Sequence, residues 1–176
     1  MPDHPGTSRP AGRRLARLIA SVGGVGFCPV APGTAGSLVA LPLGAALLRR
    51  PAALFAVATT VSVAGIPAVR RAGNGADHGW IVIDEVAGTL LTLLGLCSLP
   101  GLPAPAGRAR QAGVLAAFAI FRALDIAKPG PVGRLDRRHD AVGVMADDIA
   151  AGLLGAAALL GGRVALRLLA PRTTRP

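Results

Sequence analysis

Residues 52–69 read AALFAVATTVSVAGIPAV, an 18-residue run without a charged side chain. Pro51 precedes the run at a position suited to a helix start, and Arg70 and Arg71 end it. About 20 apolar residues in a helix cross the hydrocarbon core of a bilayer. The run therefore predicts a membrane-spanning helix, and the neighbouring segments show whether it belongs to a larger bundle.

The composition supports a bundle of helices in a membrane. Of the 176 residues, 52% are hydrophobic and 24 are glycine, and the mean hydropathy is +0.54. Small residues at this density let helices approach closely inside a bilayer. We predict an all-α fold, a small integral membrane helical bundle with short and kinked helices. The alternative is a soluble helical bundle with a sequence biased towards alanine and arginine.

Apolar runs on both sides predict the remaining helices. The first is basic and amphipathic, as expected at a membrane interface, and the second has Ser37 as its cap and Pro42 inside it. The runs cover residues 13–25, 37–48, 52–69, 80–99, 111–127 and 144–170. The predicted domain organisation is a disordered tail at 1–12, one helical membrane domain at 13–170 and a C-terminal tail at 171–176.

The charge pattern favours a membrane over nucleic acid as the partner. The net charge is +10, and Lys128 is the only lysine. The arginines cluster between the apolar runs, as in loops held at an anionic membrane surface. Aromatic residues make up only 3% of the chain, too few for base-stacking platforms, and no nucleic-acid-binding motif occurs. The pattern leaves the oligomeric state open.

Four other residues receive structural interpretations. Cys28 and Cys97 are far apart and form no CxxC pair, so we expect buried small hydrophobes without a disulfide or metal role. His78 could act as a general acid, but a loop histidine beside an aspartate is more often a solvated pair. Trp80 is expected to anchor a helix at the interface.

Acidic residues provide the strongest functional signal. The chain has nine, and five of them lie within or at the edge of apolar helices: Asp84, Glu85, Asp125, Asp147 and Asp148. A carboxylate at the centre of a bilayer costs at least roughly 2.5 kcal/mol, so such residues need compensation. Either Arg122, Lys128 and Arg137 neutralise them as structural ion pairs, or the acids bind a divalent cation and the basic residues hold a phosphate.

Adjacent acids favour the metal site. Asp84 with Glu85, and Asp147 with Asp148, are neighbouring like charges that repel unless a cation lies between them. A separate Gly-rich segment could hold a phosphate at a helix N-terminus, although it could equally be a tight turn with Ser37 as the cap. The predicted phosphate-binding residues in this segment are Gly33, Thr34, Gly36 and Ser37.

Three blocks of sequence resemble the phosphatidylglycerophosphatase A family. They are PVAPGTAGS at 29–37, DHGWIVIDE at 77–85 followed by Gly88, and the longest block, FRALDIAKP at 121–129 with LDR at 135–137 and GVMADDIAAG at 143–152. One such block alone would be weak evidence for the family, but three in this order are strong evidence. The chain departs from the family pattern at Ala127, Gly130 and Asp140–Ala141, in a loop expected to touch the lipid.

The resemblance implies an enzyme, a phosphoric monoester hydrolase. Its expected reaction is the hydrolysis of phosphatidylglycerophosphate to phosphatidylglycerol and phosphate in phospholipid biosynthesis. The resemblance also implies Mg²⁺ dependence and a multi-pass protein of the plasma (inner) membrane with its active site facing the cytoplasm. The expected partners are a phospholipid substrate and the membrane.

The residues suggest a mechanism for this reaction. No Cys-x5-Arg, Asp-x-Asp or Ser-Gly-His motif is present, which favours metal-activated water over a covalent phosphoenzyme. The predicted metal ligands are Asp84, Glu85, Asp125, Asp136, Asp147 and Asp148. The basic side chains of Arg122, Lys128 and Arg137 are predicted to neutralise the phosphoryl oxygens. With them, Asp84, Glu85 and Asp125 form the predicted catalytic set.

Two rival functions are compatible with intramembrane acids. One is another lipid-phosphate enzyme on a helical bundle, but the motif of the CDP-alcohol phosphotransferases is not matched at residues 84–88. The other is an ion-coupled membrane transporter. Adjacent acids near helix ends, together with basic residues, favour chemistry at the membrane surface over an ion path across it.

Overall fold

The computed structural model describes residues 10–169, and it is helical. Within this part of the chain no β-strand forms, and the single β-type pairing is an isolated bridge between Leu99 and Leu102. The α-helices are α1 (Pro10–Ala20), α2 (Pro32–Leu47), α3 (Pro51–Gly73), α4 (Ile83–Leu93), α5 (Gly107–Ala127), α6 (Pro131–Asp136) and α7 (Ala141–Leu169). The predicted all-α fold is confirmed.

Helix α4 is the central element of the bundle. Every residue of α4 except Glu85 is buried, and helices α2, α3, α5 and α7 all pack against it. Leu90 and Leu93 are fully buried in the main apolar core, where they are joined by Leu48 just after α2, Leu54 of α3 and Ala117 of α5. A helix that is apolar on all sides is typically buried among other helices. The packing around α4 also fixes the position of its first turn.

Glycines bring α4 and α7 into close contact. A Cβ on Gly152 would lie 2.5 Å from the Gly88 carbonyl oxygen, and one on Gly155 would lie 2.9 Å from the side chain of Thr92. The two contacts are about one turn apart on both helices and run in the same direction, so α4 and α7 are parallel. The Thr92 hydroxyl donates to the carbonyls of Gly88 (2.9 Å) and Gly152 (3.3 Å).

Several predicted helix boundaries were wrong. Helix α2 begins at Pro32 and places Ser37 inside it, because Pro at the first helical position starts the helix without a side-chain cap. The run at 80–99 contains only Ile83–Leu93 and a 3₁₀ turn, Leu94–Leu96. Helix α7 begins at Ala141 because Asp140 accepts a hydrogen bond from the Gly143 amide (2.7 Å) and so caps it.

Other parts of the predicted organisation also differ. Pro10–Gly12 belong to α1, whereas the rest of the predicted N-terminal tail and the tail at 171–176 lie outside the described residues. Cys97 is buried as expected, but Cys28 is exposed because it lies in the surface loop before α2; both thiols are free. Residues 107–110, which precede the predicted helix at 111–127, form the first turn of α5.

Two of the described helices, α3 and α7, are long and apolar enough to cross a membrane. Their lengths are 23 and 29 residues, which correspond to about 35 and 44 Å at 1.5 Å per residue. Helix α2 is apolar but shorter. Membrane association is therefore indicated by length and composition, and the charge-free run at 52–69 lies within α3.

Candidate active site

A cavity of about 620 Å³ opens where the N-terminal ends of α2, α4 and α7 meet the C-terminal end of α5. Seven carboxylates and three cationic side chains line it, although the chain as a whole carries a net charge of +10. The ionisable groups of the lining are Asp77, Asp84, Glu85, Asp125, Asp136, Asp147, Asp148, Arg122, Lys128, Arg138 and His139. Most of the acids of the chain have been gathered into one place.

Three of these carboxylates form the tightest cluster. One oxygen each from Asp84, Glu85 and Asp148 lies within 4.8 Å of the others. Asp84 and Asp148 each precede by four residues one of the contacting glycines, Gly88 and Gly152, so they share the helix face at which α4 meets α7. The close glycine contact is thus the structural reason that the two acids meet.

Burial makes this cluster electrostatically costly. Asp84 and Asp148 are only 8% and 4% exposed. Asp84 lies in the first turn of α4, a helix too short to cross a membrane. Burial, and after it the charge of the adjacent Glu85, raises the pKa of Asp84 well above its usual value. Burial likewise raises the pKa of Glu85. Like charges held this closely in a buried place are stabilised by a cation between them.

The cluster fits a hard divalent cation such as Mg²⁺. Its donors are all carboxylate oxygens, the ligand type that Mg²⁺ and Ca²⁺ prefer. Glu85 Oε2 is buried and has no hydrogen-bond partner among the described residues. An unsatisfied buried polar atom costs roughly 1–3 kcal/mol. A cation at the cluster would give this oxygen a partner.

Cationic side chains flank the cluster on the α5 side. Arg122 Nη1 donates to Asp125 Oδ2 (2.6 Å) and lies 4.0 Å from Glu85 Oε1. Lys128 Nζ is 2.5 Å from Asp147 and 2.8 Å from Asp136. Desolvation opposes the charge on Lys128, but the hydrogen bonds to Asp136 and Asp147 outweigh it and raise the pKa of the ammonium group. Lys128 therefore remains cationic at neutral pH.

The N-terminus of α2 also faces the cavity. Ala31, Pro32 and Gly33 line it, and Ala31 has a left-handed backbone (φ 47°) that turns the chain into the helix. A side chain at position 33 would press on the Glu85 carboxylate and displace it, so glycine at this position leaves the carboxylate in place. The free amides of a helix start attract anions, so α2 presents a second positive feature to the cavity.

The loop between α6 and α7 forms the mouth of the cavity. Arg138 and His139 both line it, and both are exposed. Arg138 Nη2 is 3.0 Å from Asp140 Oδ2, and this pairing raises the pKa of Arg138 and lowers that of Asp140. Arg138 and His139 are not among the site residues predicted from the sequence. The basic run at 137–139 was a signal, but it could not show which side chain faces inward.

The structure brings together most of the predicted site residues. All six predicted metal ligands line the cavity, and so do Arg122 and Lys128. Arg137, in contrast, is exposed at the end of α6 and does not line it. The phosphate contact predicted for Arg137 therefore has no support from this geometry, because α6 turns the neighbouring Arg138 towards the cavity instead.

The predicted phosphate-binding segment is only partly at the cavity. Gly33 lines it, but Thr34, Gly36 and Ser37 do not. Ser37 is fully buried inside α2 and donates to the Gly33 carbonyl (2.9 Å), and Gly36 packs against Val82. The segment is a helix start rather than a loop, which is why its later residues turn away.

His78 and Trp80 have structural positions beside the cavity. The His78 ring lies 3.2 Å from the Gly73 carbonyl at the end of α3, and it stacks on Trp80 with centroids 5.7 Å apart. Arg17 of α1 lies over the Trp80 ring at 5.2 Å. His78 is exposed, and its ring contacts the end of α3 and Trp80. The solvated pair with Asp77 stays a prediction.

An acidic cluster suited to a divalent cation, flanked by cationic side chains and a helix N-terminus, is typical of enzymes that act on phosphate esters. Comparison with known proteins agrees with this class. Residues 18–163 match the family model described as phosphatidylglycerophosphatase A. The chain belongs to the phosphatidylglycerophosphatase A family, and it is accordingly a phosphatase, a phosphoric monoester hydrolase.

Similar proteins come from three bacteria. Phosphatidylglycerophosphatase A of Escherichia coli (strain K12) is 35% identical over 147 residues, which are 81% of this chain and 80% of the relative. The Haemophilus influenzae protein of the same name is 34% identical, over 77% of this chain and 81% of the relative. A Bacteroides thetaiotaomicron protein, provisionally named phosphatidylinositol-3-phosphatase, is 38% identical over 79% and 87%. No solved structure is significantly similar.

Proposed function

We propose that this chain hydrolyses the terminal phosphomonoester of phosphatidylglycerophosphate, releasing phosphatidylglycerol and inorganic phosphate, and that the reaction depends on Mg²⁺. The observation that carries the proposal is the cavity in which Asp84, Glu85 and Asp148 meet beside Arg122 and Lys128. The names of the E. coli and H. influenzae relatives support the substrate. The reaction would supply phosphatidylglycerol to phospholipid biosynthesis.

In this proposal the metal ligands are Asp84, Glu85 and Asp148, whose oxygens lie within 4.8 Å of one another. Asp125 and Asp147 lie next to Asp148 in this cluster. Asp136 is more exposed and forms an ion pair with Lys128. When bound, Mg²⁺ supplies positive charge that polarises the phosphoryl group and promotes ionisation of water. The cluster also needs a cation for its own stability, since neighbouring carboxylates repel.

The remaining groups of the cavity bind and orient the phosphate. Arg122 and Lys128 are held in place by the carboxylates beside them, and their N–H groups face the same cavity. They would neutralise the negative charge on the phosphoryl oxygens as the ester bond breaks. The amides at the start of α2 add donors for the same anion. A carboxylate of the cluster accepts the proton of the attacking water.

The proposed location is the plasma membrane, with α3 and α7 as spans and the cavity at the cytoplasmic surface. Of the basic residues in the described part of the chain, ten lie at the cavity end of the bundle and six at the opposite end. The six are Arg49, Arg50, Arg108, Arg110, Arg163 and Arg167. Cytoplasmic loops carry the excess of Lys and Arg. The helical membrane domain at 13–170 is thus proposed as one catalytic unit.

A phosphate-release assay tests this function. The purified full-length chain in mixed detergent micelles is given phosphatidylglycerophosphate with Mg²⁺ or with EDTA, beside Asp84→Asn. We expect release that requires Mg²⁺ and falls by about a hundredfold or more in the variant, because a metal ligand is lost. Unchanged release in EDTA, or full activity of a folded Asp84→Asn variant, would contradict the proposal.

A second substrate belongs in the same assay. The B. thetaiotaomicron relative is named for phosphatidylinositol 3-phosphate, which also carries a phosphomonoester on a polyol. Comparing kcat/KM for the two lipids shows which headgroup the cavity prefers. Faster release from phosphatidylinositol 3-phosphate would move the assignment to that lipid and leave the metal-dependent phosphatase intact.

A further inference from the structure

Arg138 differs from the other cationic residues of the cavity in position. Arg122 and Lys128 lie deep, with side chains 18% and 31% exposed, and each is bound to carboxylates of the site. Arg138 lies at the mouth with its side chain 53% exposed, and its partner Asp140 is equally open to solvent. The cavity therefore has buried acids at its floor and an accessible guanidinium at its entrance.

The ion pair does not prevent Arg138 from binding another anion. An exposed pair of this kind contributes little to stability because solvent screens it, whereas a guanidinium can donate two parallel hydrogen bonds to a phosphate. The Asp140 carboxylate also accepts the Gly143 amide at 2.7 Å. If Arg138 turns to a ligand, Asp140 keeps a partner.

The backbone of Arg138 is firmly placed. Its amide donates to the Leu135 carbonyl at 2.9 Å, which continues the turn of α6. Its own carbonyl packs against Gly143, where a side chain would not fit. Asp140 joins the loop to the start of α7. The side chain of Arg138 thus extends over the mouth from a fixed point next to the helix that carries Asp147 and Asp148.

We propose that Arg138 binds the phosphodiester of the lipid substrate and makes the enzyme selective for lipids that carry both a phosphomonoester and a phosphodiester. This inference rests on the proposed function and deepens it. The monoester enters the deep, metal-binding part of the cavity, so the diester that links the polyol to the glycerolipid remains at the mouth. Phosphatidylglycerophosphate and phosphatidylinositol 3-phosphate share this chemistry, whereas phosphatidic acid has the monoester alone.

The test compares Arg138→Gln with Arg134→Gln. Arg134 is an exposed arginine on α6 that does not line the cavity, so its variant has the same charge change. Each full-length protein is assayed in mixed micelles with Mg²⁺ on phosphatidylglycerophosphate, phosphatidylinositol 3-phosphate and phosphatidic acid of matched acyl chains. Helical content and Tm are measured in parallel, and Arg138→Lys is included as the conservative variant.

We expect Arg138→Gln to raise KM for the diester-bearing lipids about tenfold or more, as expected for the loss of a hydrogen bond to a charged group. Its kcat and its kinetics on phosphatidic acid should match those of Arg134→Gln, and Arg138→Lys should recover part of the affinity. An equal loss on phosphatidic acid, or a KM no higher than that of Arg134→Gln, would overturn the proposal. So would a wild-type protein that hydrolyses phosphatidic acid as well as the diester lipids.

The result is separable from the test of the proposed function. Wild-type turnover of phosphatidylinositol 3-phosphate alone would refute the phosphatidylglycerophosphate assignment, yet Arg138 would still be tested on that lipid. If wild type does not turn over phosphatidic acid, the role of Arg138 is decided by the difference in KM for the diester-bearing lipids between Arg138→Gln and Arg134→Gln. A wild-type protein inactive on all three lipids refutes both proposals.

Discussion

Substituting Gly152 by Ala should slow phosphate release by increasing the distance between α4 and α7. The new Cβ would lie 2.5 Å from the Gly88 carbonyl oxygen and 2.9 Å from the Gly88 Cα. Ordinary contacts are about 3.4 Å or longer, so the two helices must separate by roughly 1 Å. Asp84 and Asp148 lie one turn before these glycines, so their separation increases with that of the helices.

The expected magnitude follows from this displacement. Overpacking of a tight helix contact costs about 1–3 kcal/mol of folding free energy. A misplacement of about 1 Å in a catalytic site costs on the order of a hundredfold in rate. We therefore expect a modestly less stable protein that releases phosphate about a hundredfold more slowly. It should also need a higher Mg²⁺ concentration to reach its full activity.

Gly162→Ala is the matched control for this variant. Gly162 lies on the same helix, and a Cβ there meets no atom within 4 Å. Alanine at an open helical site is favoured over glycine by about 1 kcal/mol, so this variant should be as stable as wild type or more stable, with full activity. Phosphate release and thermal unfolding in detergent distinguish the two. Gly152→Ala with activity within twofold of Gly162→Ala would refute the proposed role of the helix contact.

Three further predictions concern single side chains. Arg163 donates to the carbonyls of residues 95, 97, 102 and 103. Arg163→Gln should lower the free energy of unfolding by about 3 kcal/mol and Tm by several degrees, with activity retained. Arg167→Gln serves as the control in the thermal melt. Lys128→Gln should reduce kcat about a hundredfold because Asp136 and Asp147 lose their counter-charge, and Lys128→Arg should recover part of it in the phosphate assay. Gly33→Ala should lower activity about tenfold or more with Tm nearly unchanged, because the methyl group displaces the Glu85 carboxylate; equal losses of Tm and activity would contradict that reason.

The acidic site was predictable because the chain has only nine acidic residues and most of the site acids interrupt otherwise apolar segments. Asp84, Asp125 and Asp148 stood out at helix ends, and the structure places all three in one cavity. What the sequence could not show was why they meet. Gly88 and Gly152 are 64 residues apart in the sequence, and their contact depends on the parallel packing of α4 and α7. Nothing in the local pattern specifies that pairing.

The errors in prediction have local physical causes. Ser37 was taken as a cap because serine is a common one, but Pro32 at the first helical position and Ala31 in a left-handed conformation start α2 earlier. Arg137 was predicted because it belongs to the LDR block at 135–137, whereas the neighbouring Arg138 lines the cavity. Only the phase of the short helix α6 and the pairing of Arg138 with Asp140 distinguish them.

Titration of Mg²⁺ tests the central claim, that the buried acids hold the cation on which turnover depends. Phosphate release from phosphatidylglycerophosphate and the Tm of the same purified protein are followed together as Mg²⁺ is added after EDTA treatment, for wild type and Asp148→Asn. We expect activity and Tm to rise over the same Mg²⁺ range in wild type, with about 2.7 kcal/mol of stabilisation at a concentration 100 times Kd, and neither to rise in the variant over that range. Activity in wild type that is independent of Mg²⁺, or an unaltered titration in Asp148→Asn, would contradict the account.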